Sequence, residues 1–350
     1  MEPVNTLVTR RVRRGVSVLA GAALLIAAGA PPASAAPETD LVSKTSGGEP
    51  ANSWSSVGSI SADGRFVAFE SDATNLPGND SWDVYVHDRR TGATELVSKT
   101  SGGEPANGWS FSPSISASGR FVAFDSDATN LPGGADDAVL DVYVHDRWTG
   151  TTELVSRTSG GDPANGGSGA PSISASGRFV AFASDARNLP GDDLFTEIYL
   201  HDRRTGRTRL VSKTSAGDPM FGDSLNSSLS ASGRFVAFES AFNFAYVHDW
   251  RTGTTKLVSR TSDGDRVNGS FPSISADGRF VAFASDARKL PGNDGVSDVY
   301  VRDRRTRTTS LVSRTSRGEP ANADSYLPFI SADGRFVAFE SDATNLPGND

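Results

Sequence analysis

The sequence predicts an all-β protein, a β-propeller of four-stranded antiparallel blades, and three observations predict it. The phrase ISADGRFVAFESDATNLPGND fills residues 60–80 and recurs unchanged at 330–350. Related copies start at Ile115, Ile173, Leu229 and Ile274, so successive starts lie 55, 58, 56, 45 and 56 residues apart. A period of this size marks one supersecondary unit that must stack on its neighbours to bury a core. No helical periodicity appears, and each copy carries a run such as Arg65-Phe66-Val67-Ala68-Phe69 that is apolar on both faces. A four-stranded sheet covered on both faces by copies of itself is a propeller blade. The count predicts six blades with the last incomplete, or seven in a longer chain.

The elements follow in order. Arg10, Arg11, Arg13 and Arg14 precede an apolar stretch from Val16 to Ala30 and the small residues Ala33-Ser34-Ala35. Residues 1–36 therefore read as an export signal cleaved near Ala35, with Thr9-Arg10-Arg11 leaving both Sec and twin-arginine export open. Export implies an extracellular, periplasmic or cell-envelope location. Residues 37–350 read as one propeller domain. Leu41 to Ser46 matches the fourth strand of later repeats, Leu96 to Ser101, and is expected to be an N-terminal strand that closes the ring.

Within the first repeat, Asp63-Gly64 turns the chain between strands A and B and predicts a type I′ hairpin, which needs positive φ at both central residues. A longer loop containing Leu76-Pro77-Gly78 leads to strand C, Asp83 to Asp88. Arg90-Thr91-Gly92 then turns the chain into strand D, Thr94 to Ser98. In the fifth repeat Arg307 replaces the glycine found at 92, 150, 206 and 253, so a non-glycine is expected at positive φ. The fourth repeat has a shortened B–C loop, with Glu239 to Phe244 running almost directly into Tyr246-Val247. The last repeat stops after strands A and B at Asp350, which predicts a longer natural chain because two strands alone leave open edges.

The pattern I-S-A-D/S-G-R-F-V-A-F, followed by D-V-Y-V-H-D-R-x-T-G-x-T-x-L-V-S, resembles the WD40-like PD40 repeat of the TolB family of β-propellers. The resemblance covers essentially all of residues 37–350, in five full copies and one partial copy. It implies the fold strongly and the function weakly. Related blades serve as binding platforms, as gates on peptidases and in a few lyases, and function has to be argued from a site rather than a fold.

Composition narrows the function. The net charge is −8, and nearer −11 once the four arginines and one glutamate of the leader are set aside, which argues against a nucleic-acid partner. There is no cysteine, so thiol nucleophiles and thiolate metal sites are excluded. His87, His145, His201 and His248 share one C-strand register, with Arg302 in that place in the fifth repeat, so no histidine is free for a catalytic triad. No G-x-S-x-G elbow is present.

The short A–B and C–D turns are expected on one face, rich in arginine (Arg65, Arg89, Arg90, Arg120, Arg147, Arg178, Arg203 and Arg204). The long B–C and D–A loops are expected on the other, where function usually sits. Their B–C loops are acidic: Asp72, Asp80, Asp127, Asp136, Asp137, Asp185, Asp192, Asp193, Asp286 and Asp294. Two solvated charged faces would account for the same pattern. Asp80 with Asp83, Asp137 with Asp141 and Asp294 with Asp298 are weak calcium candidates, since calcium wants 6–8 oxygens and no loop has the spacing of a calcium loop. No cofactor is expected. Trp54, Trp109, Phe111, Phe271 and Tyr326 stand in the D–A loops, as partner anchors or as wedges between blades. Phe242 and Phe244 flank the notch expected beside the shortened loop. The leading expectation is an exported, non-enzymatic propeller that binds a protein or cell-envelope component. The alternative is a glycan-active or lyase-type enzyme.

Overall fold

The computed structural model describes residues 5–9, 40–78, 81–133, 139–191, 194–240, 242–292 and 295–347. The described residues contain strands and no helix. β1 is Asn5–Thr9. The first repeat forms β2 (Ser55–Ile60), β3 (Phe66–Ser71), β4 (Asp83–Asp88) and β5 (Thr94–Leu96). The second forms β6 (Ser110–Ile115), β7 (Phe121–Ser126), β8 (Asp141–Asp146) and β9 (Thr151–Leu154). The third forms β10 (Ser168–Ile173), β11 (Phe179–Ser184), β12 (Glu197–Asp202) and β13 (Arg207–Leu210). The fourth forms β14 (Leu225–Leu229), β15 (Phe235–Ser240), β16 (Phe244–Asp249) and β17 (Thr254–Leu257). The fifth forms β18 (Ser270–Ile274), β19 (Phe280–Ser285), β20 (Asp298–Asp303) and β21 (Thr308–Leu311), and the last forms β22 (Ser325–Ile330) and β23 (Phe336–Ser341).

Each full repeat is a four-stranded sheet in chain order, as the repeat predicts. The sixth sheet is β1-β23-β22, and β1 runs parallel to β23 with Asn5 opposite Phe336 and Thr9 opposite Glu340. β23 offers an edge where the other blades carry strand C, and an extended segment adds to such an edge. The apolar stretch and the cleavage site at Ala35 lie outside the described residues.

Contacts divide the chain into two compact units. Among the described residues, one comprises 40–188 with His201–Thr208, and the other comprises β1, Leu189–Leu200 and 209–347. In the first, Val84 and Val86 of one blade pack with Val122, Phe124 and Tyr143 of the next. In the second, Ala237 and Val247 pack with Val281, Phe283 and Tyr300, and a further core joins Val299 and Val301 to Val337 and Phe339. The inner strands explain this. β4, β8, β12 and β20 are buried at every residue, because both of their faces meet another sheet.

The repeated Ile-Ser-Ala also joins blades. The Ile115 N–H donates to Ser59 Oγ at 2.7 Å, and Ile274 and Ile330 donate likewise to Ser228 and Ser273. One alanine N–H donates to the next blade's alanine carbonyl, as from Ala62 to Ala117 and from Ala276 to Ala332.

Two local expectations are corrected. The A–B turn is not type I′: only Gly64 has positive φ, at 71°, while Asp63 does not. The Gly64 N–H donates to Ser61 O, and Asp63 Oδ1 accepts from both Ser61 Oγ and the Arg65 N–H. This is a type I turn closed by a left-handed glycine, and the aspartate serves it by bonding its own backbone rather than by adopting positive φ. Leu41 to Ser46 forms no strand. Lys44 bridges Pro50, and its carbonyl accepts from Thr94 Oγ1 of β5, just as the Lys99 carbonyl accepts from Thr152 of β9. The segment thus takes the place of a preceding D–A loop. The expectation for Arg307 is met, with φ 63° and its N–H donating to Asp303 O.

Candidate functional site

The turn edge of each blade is built by its arginines. Arg65 Nε donates to Asp88 Oδ1 at 2.8 Å, and Arg120, Arg178, Arg234 and Arg279 repeat the contact with Asp146, Asp202, Asp249 and Asp303. The guanidinium holds each carboxyl below the usual carboxylate range, to about 2 for Asp146 and Asp202. A second set reaches between blades: Arg147 pairs with Glu95, and Arg203 with Glu153. In the next pair the roles change, and Arg209 lies over the Trp250 ring, 4.9 Å from its centroid. The arginine-rich edge is therefore largely consumed in holding the blades.

The histidines are framework residues. Each donates through Nδ1 to a strand-D threonine, as His145 does to Thr152 Oγ1 at 2.9 Å. The direction is fixed because Thr152 Oγ1 spends its proton on the Lys99 carbonyl. His87 and His201 keep Nε2 buried without a partner. Burial pushes His145, His201 and His248 down to about 4. Arg302 fills the same place by donating to the Arg260 and Thr261 carbonyls and to Thr309 Oγ1.

The loop edge is locked by asparagines. Asn107 donates its N–H to Asn130 Oδ1, while its own Oδ1 accepts from the Thr129 N–H. Asn52 with Asn75, Asn165 with Asn188 and Asn322 with Asn345 repeat this lock between the D–A and B–C loops. In the fourth repeat the B–C asparagine is deleted and Phe221 stands in the D–A place. Phe221 is 75% exposed and packs edge-on against Phe195 at 5.3 Å, with Leu194 beside it 80% exposed. The B–C connection of the same blade is a tight turn whose Phe242 and Asn243 both have positive φ, 69° and 55°. Phe242 is exposed, whereas Phe244 is half-buried under Arg266, 3.9 Å from its centroid. The Gly269 N–H donates to Asn243 O and holds the turn.

Among the other expected anchors, Trp54, Trp109 and Phe271 are exposed, and Phe111 and Tyr326 are half-buried. Trp82, which the sequence reading passed over, lies 5.8 Å from Phe111. Of the calcium candidates, Asp80, Asp137 and Asp294 lie outside the described residues, as do Asp136, Asp192 and Asp193. Asp83, Asp141 and Asp298 are buried and accept from Ser98, Ser156 and Ser313, two residues past the end of the adjacent strand D, so they face their own blade.

A set of carboxylates was also missed. Every A strand is bulged, and the bulge residues Ser112, Ala170 and Phe271 have positive φ. Their N–H groups donate to Glu70 Oε2, Asp125 Oδ2 and Glu239 Oε2 of the preceding blade at 2.7, 2.8 and 3.0 Å. Burial pushes Glu70 and Asp125 up.

No protein-family model matches the chain, and no curated protein does. Among solved structures it is similar to the β-propeller domain of the Trilobed protease from Pyrococcus furiosus, at 13% identity over 80% of this chain and 76% of that one, with a TM-score of 0.51. It is also similar to a putative TolB from Agrobacterium tumefaciens, at 16% identity, 83% and 90% coverage and a TM-score of 0.49. TolB from Acinetobacter baumannii matches at 19% identity with a TM-score of 0.45, and the match covers 74% of this chain and 62% of that one. With the sheets described above, the likeness to the Trilobed protease domain defines the class: the protein is a β-propeller.

Proposed function

We propose that this protein is an exported, non-enzymatic β-propeller that binds a protein of the cell envelope through its loop edge. The observation that carries the reading is the shortened B–C loop of the fourth repeat. The repeat whose B–C loop is shortened exposes Phe221 and Phe242, and Leu194 in the preceding repeat's B–C loop is exposed as well. The shortened loop also holds Phe242, a bulky residue, in a left-handed conformation that costs roughly 1–2 kcal/mol. Strain of this kind persists at functional sites, and exposed aromatics on a rigid scaffold are typical anchors for a partner. The dedication of the arginines, histidines and buried aspartates to the framework supports a non-enzymatic role. Among the described residues no helix is long and apolar enough to cross a membrane, and export rests on the leader sequence.

Capture from an envelope fraction, compared between wild type and the Phe221→Asp plus Phe242→Asp variant, tests the reading. A specific partner should be lost in the variant. An unchanged set of captured proteins, or turnover of a peptide or polysaccharide by the wild type, would sink it.

A further inference from the structure

We infer that the Trp82–Trp109–Phe111 cluster, with Trp54 at the equivalent place in the preceding repeat, is a binding platform for an uncharged polysaccharide. The inference goes beyond the protein-binding reading and uses different residues. Trp54 and Trp109 hold the same position in consecutive repeats, one residue before β2 and β6, where the other repeats have Gly167, Asp223, Asn268 and Asp324. Both rings are more than half exposed, at 59% and 56%. Trp109 meets Phe111 edge-on at 6.2 Å, and Phe111 meets Trp82 at 5.8 Å. Leu140, also exposed, holds the place of Trp82 in the next repeat: the Ser168 N–H donates to its carbonyl as the Ser110 N–H does to that of Trp82.

The backbone under these rings is rigid. The Trp109 N–H donates to Asp127 Oδ1 at 2.6 Å, and the Asp127 N–H donates back to Trp109 O. The Trp54 carbonyl accepts from Ser71 Oγ and from the Asp72 N–H. The rings are thus presented to solvent with their backbones already ordered, which lowers the entropy lost when a ligand binds.

The chemistry selects the ligand. Flat aromatic faces with a carboxylate at their edge suit pyranose rings, whose C–H faces stack on the arenes and whose hydroxyls find acceptors. Charge selects within that class. Arginines stand over Phe66, Phe121, Trp148 and Phe235, yet among the described residues none stands over these four rings. The carboxylate bonded to this group is that of Asp127, which accepts from the Trp109 N–H, so an acidic polymer such as polygalacturonate would meet repulsion, and a neutral one would not.

Affinity electrophoresis of the full chain through soluble β-glucan, glucomannan and polygalacturonate tests this. Migration should be retarded by at least one neutral polymer and not by polygalacturonate. Trp54→Ala and Trp109→Ala should each weaken binding at least tenfold with unchanged thermal unfolding. Trp148→Ala, which alters an exposed tryptophan on the turn edge, should leave binding intact. Absence of retardation by every neutral polymer would overturn the inference. So would equal binding by the Trp54→Ala and Trp109→Ala variants, preference for polygalacturonate, or loss of a protein partner as the sole effect of those variants.

Discussion

Arg147 of the second blade lies over the ring of Phe66 in the first, 4.4 Å from its centroid. Its guanidinium also donates to the Gly119 carbonyl and to Glu95. Arg203 on Phe121 and Arg304 on Phe235 repeat the stacking at 4.5 and 4.9 Å. Arg147 is nearly buried and Glu95 is not. Glu95→Ala should therefore cost less than ~1 kcal/mol, as exposed partners of ion pairs do. Arg147→Ala should cost about 2 kcal/mol, because it also removes the stacking and leaves a carbonyl unpaired. Chemical denaturation of the two variants distinguishes these outcomes.

Gly119 serves two purposes at once. It has φ +73°, and a Cβ there would stand 2.2 Å from Phe66 Cδ2. Gly119→Ala should lose about 3 kcal/mol, from the left-handed backbone and the clash together. Gly150→Ala, also left-handed but with open space around it, should lose only the backbone part. Thermal unfolding of both variants measures the difference.

The buried imidazoles make stability depend on pH. In the fold His145, His201 and His248 take up protons only near pH 4, whereas the unfolded chain does so near 6.5. Between those values the unfolded state binds more protons, so stability is complete above about pH 6.5 and falls as the pH drops toward 4. Asp146 and Asp202, depressed to about 2, add their own loss below the ordinary carboxylate range near 4. Unfolding temperatures between pH 7 and 4 should fall steeply, and His201→Gln should flatten the slope.

Asp125 works in the opposite sense. Its carboxyl is raised by burial, so the folded state favours the protonated form, and the charged form weakens the fold as pH rises above the ordinary carboxylate range. Asp125→Asn keeps an acceptor for the Ala170 N–H without the charge. It should be at least as stable as wild type at pH 7 and lose that advantage at pH 3, as denaturation at the two pH values would show.

Phe242→Gly should relieve the left-handed backbone and raise stability by about 1 kcal/mol. The same change should abolish capture of the envelope partner. A gain in stability with loss of binding is the signature expected of strain held for function.

The repeat and its apolar B strands made the blades legible in the sequence, and the missing loop pointed to Phe242. The bulge carboxylates were readable only in hindsight. The residue after each B-strand Phe-Val-Ala-Phe varies, as Glu70, Asp125, Ala183, Glu239, Ala284 and Glu340, while its neighbours barely change. Nothing in one blade says that such a carboxylate caps a bulge in the next, because that bond joins residues 42 apart, as in Glu70 with Ser112. Trp82 was missed for the same reason, since its ring partner Phe111 belongs to another repeat.

By itself the sequence determined the strands, their order and the blade, because side-chain periodicity and glycine placement act within one repeat. The tertiary structure decided which polar groups are spent and which are free. Asp63 and the histidines proved to be bonded within their own blades, the arginines to be braces within and between blades, and Phe221 to be packed edge-on against Phe195 of the preceding blade. Those outcomes depend on contacts between repeats, where packing and desolvation rather than local propensity set each side chain's role.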